Sequence, residues 1–404
     1  MKILHLISQY PSKTGSGIYL TQVYKNFDKK GYSQKVLCCM NKDDMIDVPF
    51  SDVEVIEFNG GDIDFPVVGM SDIMPYNSFL FSELKGEKLD KYIELLKNKI
   101  KKVVNEFSPD IIFTNHLYII SSIVAQLELN CKVFAFCHGT CLRQLYKNSL
   151  HKDFVKRGIE KLDGIFALSE KQKNEIKQVF NYSIDRIYVI GGGYDLEFYY
   201  NNSKKIYDNN SLIKIIYAGK FSRSKGVLYL LKAFEKIKDK YNVKLILAGG
   251  GTGEEYDEII SVSSTMKDSI EIKGYMSMKE IGDLFRSCDI FAMPSFYEGL
   301  SLVTIEAMAC GLKIVTNELE NLIDFVGDEI VNSDVMQIVS MPKLYDTDKI
   351  VESEVSQHIL NWTKALSLQI ENLLSNRSEF DIEKEIKKFS WKEIVNNIET
   401  EVFK

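Results

Sequence analysis

No run of about 18 consecutive apolar residues occurs in the 404-residue chain, so no segment is expected to span a membrane. The opening MKILHLIS is too short and too soon broken by polar residues for a signal peptide; it reads as a first strand. Cysteine is sparse and unpatterned. Seven cysteines (Cys38, Cys39, Cys131, Cys137, Cys141, Cys288, Cys310) form no C-x-x-C, and most sit in apolar runs, which predicts buried thiols in a reducing cytoplasm. A basic excess is also missing. The net charge of −7 gives no electrostatic reason to expect nucleic-acid binding. The charge is uneven: residues 1–195 hold 25 Lys and Arg against 24 Asp and Glu, and the remainder 25 against 33. Lys97, Lys99, Lys101 and Lys102 make a mildly basic stretch that reads as a solvated helix face, leaving peripheral membrane contact as the most expected of it.

Several catalytic signatures are absent. There is no G-x-x-x-x-G-K-[ST] loop and no Ser/His/Asp set with a nucleophile elbow. Asp62-Ile63-Asp64 has the D-x-D form of a metal-dependent transferase, but no strand leads into it, so surface carboxylates are expected. Of five histidines, His5 reads as structural inside a strand, His151 and His358 as surface residues, and His116 and His138 as strand-end residues able to serve a site.

What is present is ordinary globular composition, 45% apolar and 26% charged, with enough length for two or three domains. Short Val/Ile/Phe-rich runs alternate with helix-period stretches. Strands are expected at Lys2–Ile7, Ser33–Cys39, Val53–Phe58, Ile111–Thr114, Val133–Cys137, Gly164–Leu168 and Ile187–Ile190, with helices at Ile18–Lys30 and Glu87–Phe107. The polar stretch Asn201–Ser211 reads as a linker. The alternation then restarts with strands Ile213–Ala218, Lys244–Ala248, Ile270–Lys273, Ile290–Met293 and Lys313–Thr316, and helices Val227–Lys238, Lys279–Arg286 and Leu302–Met308. This predicts an α/β chain of two Rossmann-like domains, 1–198 and 199–384, facing each other across a cleft, with a final helix at about 385–404 returning to the first.

Three segments carry the chemistry. Pro11-x-x-x-Gly15-Ser16-Gly17 follows the first strand, and its glycines would let amides approach an anion; Leu20 replaces the third glycine of G-x-G-x-x-G, which disfavours a nicotinamide dinucleotide. Gly219–Gly226 places Lys220, Arg223 and Lys225 before a helix, which suits a diphosphate. In Tyr297–Gly311, Glu298 lies in a loop and Glu306 on the next helix. Carboxylates there can clamp vicinal hydroxyls, and the amides of Ser301, Leu302 and Val303 can face a phosphate.

The last segment resembles the E-x7-E signature of the retaining two-domain (GT-B) glycosyltransferases, family 4; E-G-L-S-L-V-T-I-E-A-M-A-C-G is similar to the family's E-G-F-G-L-x-x-x-E-A-M-A-x-G. The likeness extends to the Gly15-Ser16-Gly17 loop, His138-Gly139, Gly164–Ser169, Gly193-Tyr194-Asp195, Lys220 and Lys225, Gly274-Tyr275 and Phe389-Ser390-Trp391. Two positions depart from the pattern. Lys220 stands where Arg is usual, and Ser301 where Gly is usual.

The resemblance implies metal-independent, cofactor-free transfer of a sugar, with retention, from a UDP-linked donor to a glycan, lipid-linked or small-molecule acceptor. It implies a cytoplasmic location, extending to the inner face of a membrane. It gives Lys220, Lys225 and the Gly299–Leu300–Ser301–Leu302–Val303 helix start to the diphosphate, together with the Gly15-Ser16-Gly17 loop. It gives Glu306 to the ribose, Glu298 to the sugar hydroxyls and Tyr275 to the base. It places His138 at the reacting centre. Independently, the donor clamps all fall after residue 211 and the long, aromatic loop Asn59–Ser82 falls in the N-terminal half, which makes His116, Met74 and Tyr76 acceptor-side residues, a packed Ω-loop that covers the sheet being the alternative. The loop Gly15–Ile18 also resembles that of enzymes glycosylating a small carboxylic acid. A nucleotide-sugar epimerase and a non-catalytic sugar-nucleotide-binding protein are the alternatives.

Overall fold

A computed structural model of the chain describes residues 1–9, 14–44, 50–71, 74–202, 205–345, 348–376 and 380–403. It divides into two compact units: Met1–Gly192 with Ile394–Lys404, and Gly193–Glu393. The division therefore falls at Gly192/Gly193, ahead of the polar stretch at 201–211, and the return lies within the last helix rather than near residue 385.

In the first unit β1 (Lys2–Ile7), α1 (Gly15–Lys29), β2 (Ser33–Asn41), β3 (Val53–Phe58), α2 (Glu87–Phe107), β4 (Ile111–Asn115), α3 (Ile119–Ala125), β5 (Lys132–Phe136), α4 (Thr140–Lys147), α5 (Lys152–Ile159), β6 (Gly164–Ala167), α6 (Glu170–Phe180) and β7 (Ile187–Val189) follow in order. The strands form one parallel sheet, ordered β3-β2-β1-β4-β5-β6-β7. Ile3 through Ile7 are all fully buried, which is what a strand covered by helices on both faces requires. α2 buries Tyr92, Leu96, Ile100 and Val103, one stripe at helical spacing, and ends where Ser108 turns left-handed.

The second unit repeats the plan. β8 (Ile213–Lys220), α7 (Val227–Glu235), β9 (Val243–Gly250), α8 (Glu254–Ser264), β10 (Ile270–Lys273), α9 (Met278–Arg286), β11 (Ile290–Met293), α10 (Leu302–Ala309), β12 (Lys313–Asn317), β13 (Met336–Val339) and α11 (Glu352–Leu374) precede a last helix, α12 (Trp391–Val402). The parallel sheet is ordered β10-β9-β8-β11-β12-β13. Strand order reverses beside β1 in one unit and beside β8 in the other, the positions where doubly wound sheets bind ligands. Each unit is thus a Rossmann-like α/β sheet.

Several expectations need correction. The first helix starts at Gly15, not Ile18, because the Thr14 hydroxyl accepts the Gly17 amide and caps it. His151 and His358 are buried, not surface residues. His151 lies 2.7 Å from the Leu84 carbonyl. His358 is packed between the rings of Tyr229 and Phe296, with neither ring nitrogen hydrogen-bonded. Burial pushes its pKa down to about 4. His5 is buried in β1 against Gln34, as a structural residue would be. All seven cysteines are free, six of them buried. Lys99 pairs with Asp62 at 2.9 Å and Lys102 with Glu54 at 3.2 Å, so the α2 lysines include ion-paired ones. Among the described residues no helix is long and apolar enough to cross a membrane.

Candidate active site

In the second unit, the site is built on glycines that bring strand ends together. Gly249 has φ +125°, and a Cβ there would lie 2.0 Å from the Gly219 carbonyl oxygen across the β8–β9 register. Gly226, at φ +70°, caps α7, and a Cβ there would lie 2.0 Å from the Pro294 carbonyl. No other residue fits either place. These contacts fix the Gly219–Gly226 loop against the strand that leads to Glu298.

Of the three cations in that loop, Arg223 is committed elsewhere. Its guanidinium pairs with Glu258 of α8 at 2.5 Å, and its amide donates to Glu255. Lys220 is exposed, with its carbonyl oxygen accepting the Tyr217 hydroxyl. Lys225 Nζ lies 2.8 Å from Glu298 Oε1, with both side chains about a quarter exposed. Two groups singled out separately in the sequence therefore form one ion pair. Nearby, the exposed ring of Tyr275 lies over Gly250 at the end of β9, where a Cβ would come within 3.1 Å of it.

Gly299 and Leu300 lead into α10. Ser301 is buried, its hydroxyl 2.8 Å from that of Thr304. The Leu302 amide already donates to the Leu300 carbonyl at 2.9 Å, so it is not open as expected; the tight turn into the helix consumes it. The Ser301 and Val303 amides have no such bond among the described residues. One turn further, Glu306 accepts a hydrogen bond from Tyr199. Burial raises the Glu306 carboxyl to about 7, the Tyr199 bond opposes this, and the charge of Asp195 adds to it. Neither Tyr199 nor Asp195 was identified from the sequence; Asp195 lies in the noted Gly193-Tyr194-Asp195 segment, and Tyr199 carries no motif.

In the first unit, a second polar cluster lies at the ends of β1, β4 and β5. Its centre is Gln9, which sequence reasoning missed although it follows the first strand directly. The Gln9 amide donates to the Ser16 hydroxyl at 2.8 Å, and that hydroxyl lies 2.9 Å from His116 Nε2. His116 Nδ1 faces the Cys141 sulfur at 3.8 Å. His116 itself is buried with φ +75°, a left-handed conformation that histidine adopts at a cost. Gly15, Ser16 and Gly17 lie inside the first turn of α1 rather than in a loop before it. The Gly17 amide is taken by Thr14 and the Ser16 hydroxyl by the network, so neither is free for an anion; Pro11 lies outside the described residues. At Gly15 a side-chain carbon would meet nothing, so that position is open.

His138 is half-buried, 5.1 Å from the His116 ring and 5.2 Å from the Tyr19 ring. Its Nε2 is 3.0 Å from Asn115 Oδ1, and the Asn115 amide nitrogen donates to Leu6, so the oxygen faces the histidine. An acceptor oxygen fixes the proton on Nε2 and leaves Nδ1 with a free lone pair. Burial, with His116 beside it, holds the pKa well below the ordinary value, so the ring is neutral near pH 7.

The described residues of the long segment 59–82 are packed. Ile63, Phe65, Val67, Val68, Met70 and Phe81 are buried, and Val68–Gly69 pairs with Phe79–Leu80. Asn41, at the end of β2, holds the Val67 amide and the Asn77 carbonyl. Met74 and Tyr76 are half-buried; the Tyr76 hydroxyl reaches to 3.5 Å of Gln9 Oε1, beside Ser16 and His116. Of the Asp62-Ile63-Asp64 carboxylates, Asp62 accepts the Glu57 amide and pairs with Lys99.

Residues 14–198 match the family described as Glycosyltransferase Family 4, and residues 200–333 match Glycosyl transferases group 1. Alignment to curated relatives is partial, spanning as little as 43% of a relative's length. The N-acetyl-alpha-D-glucosaminyl L-malate synthase of Bacillus anthracis is 23% identical over 332 residues, 78% of each chain. The sucrose-phosphate synthase of Thermosynechococcus elongatus has a similar structure, with TM-score 0.70 and 16% identity over 99% of this chain and 98% of that one. So does the pneumococcal O-GlcNAc transferase GtfA, solved with UDP and GlcNAc, with TM-score 0.64 and 15% identity over 100% and 98%. Residues 14–198 and 200–333 thus each match a glycosyltransferase family model, and the chain has the two Rossmann-like α/β units of the GT-B fold.

Proposed function

We propose that the protein transfers a sugar, with retention and without a metal ion, from a UDP-linked donor held by the second unit to an acceptor hydroxyl bound by the first. The observation that supports this best is the Lys225–Glu298 pair on the Gly226-anchored loop, with Glu306 one turn along the helix that follows. In the absence of donor the two charges satisfy each other. On binding, Lys225 and Lys220 turn to the diphosphate, joined by the Ser301 and Val303 amides, and Glu298 accepts the sugar hydroxyls. Glu306 accepts the ribose hydroxyls, and Tyr275 covers the base. His138, neutral with Nδ1 open, accepts a hydroxyl hydrogen beside the reacting carbon. No enzyme nucleophile is required; the leaving diphosphate takes the acceptor proton on the same face, and the protein contributes position and charge. UDP in the GtfA structure supports the choice of nucleoside. The test is donor consumption across a panel of nucleoside-diphosphate sugars in excess chelator. Turnover of a UDP-sugar is expected to persist. Activity lost with chelator and restored by magnesium or manganese would refute the metal-free form.

Glu306 gives a pH signature. Its folded value, about 7, is above the usual 4.5, so the ligand-free unit loses this group's stabilising contribution as pH rises through 7. Donor binding, which uses the ionised form, has the opposite dependence. Affinity is expected to rise about tenfold from pH 6 to pH 8 and then level off. Calorimetric titration of UDP at stepped pH measures it, and Glu306→Gln should flatten the profile.

Acceptor choice belongs to the first unit. Tyr76→Ala removes the ring beside Gln9 and Ser16, and it is expected to raise the acceptor KM about tenfold, the equivalent of one hydrogen bond with its packing. Donor affinity should change less than twofold. Equal weakening of both would assign the 59–82 segment to overall stability instead.

A further inference from the structure

Two thiols flank the His138 turn that the transfer chemistry leaves unused. Cys137 follows β5, Cys141 is the second residue of α4, and both are buried. Their side chains share a hydrogen bond, with Cys137 donating to Cys141. The Cys141 sulfur also accepts the His138 amide and faces His116 Nδ1 at 3.8 Å. The proton on that imidazole is fixed from its other side. Gln9 Oε1 takes the Met70 amide at 3.4 Å and the Tyr76 hydroxyl at 3.5 Å, so the Gln9 nitrogen stands 3.1 Å from His116 Nε2. Nε2 therefore accepts, and Nδ1 carries its hydrogen toward the sulfur. Three donors converge on one sulfur, an arrangement that favours a thiolate. Burial opposes ionisation of Cys141, but the Cys137 thiol, His116 and the His138 amide outweigh it and hold the pKa well below the ordinary value. The other six thiols are pushed up, Cys137 chiefly by its bond to Cys141 and the rest chiefly by burial.

We propose that Cys137 and Cys141 form an oxidation site, which hydrogen peroxide converts to an intramolecular disulfide. The Cys141 thiolate attacks one peroxide oxygen. An S–O bond forms as the O–O bond breaks, and the departing hydroxide takes up the proton that Cys141 released and leaves as water. The Cys137 sulfur then attacks the sulfenic sulfur. The S–S bond forms, the S–O bond breaks, and the second hydroxide leaves as water with the Cys137 proton. Two electrons pass from the dithiol to peroxide. The sulfurs already touch, so reaching the roughly 2 Å of a disulfide asks for a small displacement. His138, Gly139 and Thr140, which lie between the two cysteines, are part exposed and give a small, uncharged peroxide its approach. The bond draws the Cys141 sulfur from His116 and ties the end of β5 to α4 across His138. A fall in turnover on oxidation follows, and that consequence rests on the function proposed above, whereas the oxidation itself does not.

The test is peroxide treatment of the full chain, followed by unfolding, alkylation and peptide mass analysis. Trypsin leaves both cysteines in one peptide, residues 133–143. That peptide is expected to take no alkyl label, to be lighter by two hydrogens than the dithiol form, and to regain both labels after dithiothreitol. Cys141 should react at least about tenfold faster than Cys131, which is more exposed but faces the carboxylates of Asp163 and Asp110. Cys137→Ser should stop the reaction at the sulfenic acid, trapped on Cys141 by dimedone, and Cys141→Ser should abolish it; circular dichroism checks that both variants fold. Donor consumption should fall roughly 10- to 100-fold in the oxidised chain and recover with dithiothreitol, and in Cys141→Ser it should not respond to peroxide. A chain without turnover that still forms the bond would count against the transferase reading and for the oxidation site. Both labels retained after peroxide would overturn the proposal, as would Cys131 reacting first or a disulfide from either residue to any other cysteine.

Discussion

Exchange of Glu298 for Gln is expected to lower turnover of the donor by about 100-fold or more, while the melting temperature moves by no more than about 3 °C. The carboxylate's charged partner is Lys225, and a pair about a quarter exposed on each side contributes little to folding, typically under about 1 kcal/mol. In the transition state the same carboxylate holds sugar hydroxyls, and losing charge-assisted bonds there costs roughly 3 kcal/mol. Steady-state kinetics beside a thermal melt separates the two. A variant with undiminished turnover would remove Glu298 from the reaction. One that melts far below the parent would make the residue structural.

The largest effect on stability is expected at Gly226. Alanine there must adopt φ +70° and place its Cβ 2.0 Å from the Pro294 carbonyl oxygen, which is backbone and cannot yield as a side chain would. Left-handed strain and overpacking together cost about 3 kcal/mol, lowering the melting temperature of the second unit by roughly 6–12 °C. Gly299→Ala is the control, because its Cβ would meet nothing within 4 Å. Similar melts for the two would show that the loop relaxes around the added carbon.

The strands were legible because a parallel sheet buried on both faces leaves continuous apolar runs. β1, β3, β10 and β11 have the bounds their residues predict, and α2 does too, because its stripe runs unbroken for five turns. Elements without such a signature were not legible. α8 holds mixed Ser, Val and Ile, and α11 carries no motif, although between them they hold Arg223's partner and the Trp362 ring.

At the candidate site, residue types and strand-end positions singled out Lys220, Lys225, His116 and His138, and the resemblance to the E-x7-E signature singled out Glu298 and Glu306. Partners made by chain reversal were not visible. Gln9 meets both Ser16 and, across 107 positions, His116, and Tyr199 reaches Glu306 from before β8. Polar residues also mislead when packing decides their fate. His358 reads as a surface residue, yet it is buried against two aromatic rings with no polar partner among the described residues. The glycines at 15 and 17 suggest a loop by propensity, but a threonine cap placed before them makes a helix start.

The most direct measurement is a crystal structure of the chain with UDP and a non-hydrolysable UDP-sugar. Lys225 is predicted to leave Glu298 and sit about 3 Å from a diphosphate oxygen, with Glu306 at hydrogen-bond distance from both ribose hydroxyls and Glu298 on the sugar. A nucleotide bound away from the Gly219–Gly226 loop, or one that leaves Lys225 on Glu298 and Glu306 on Tyr199 alone, would contradict the proposed donor site.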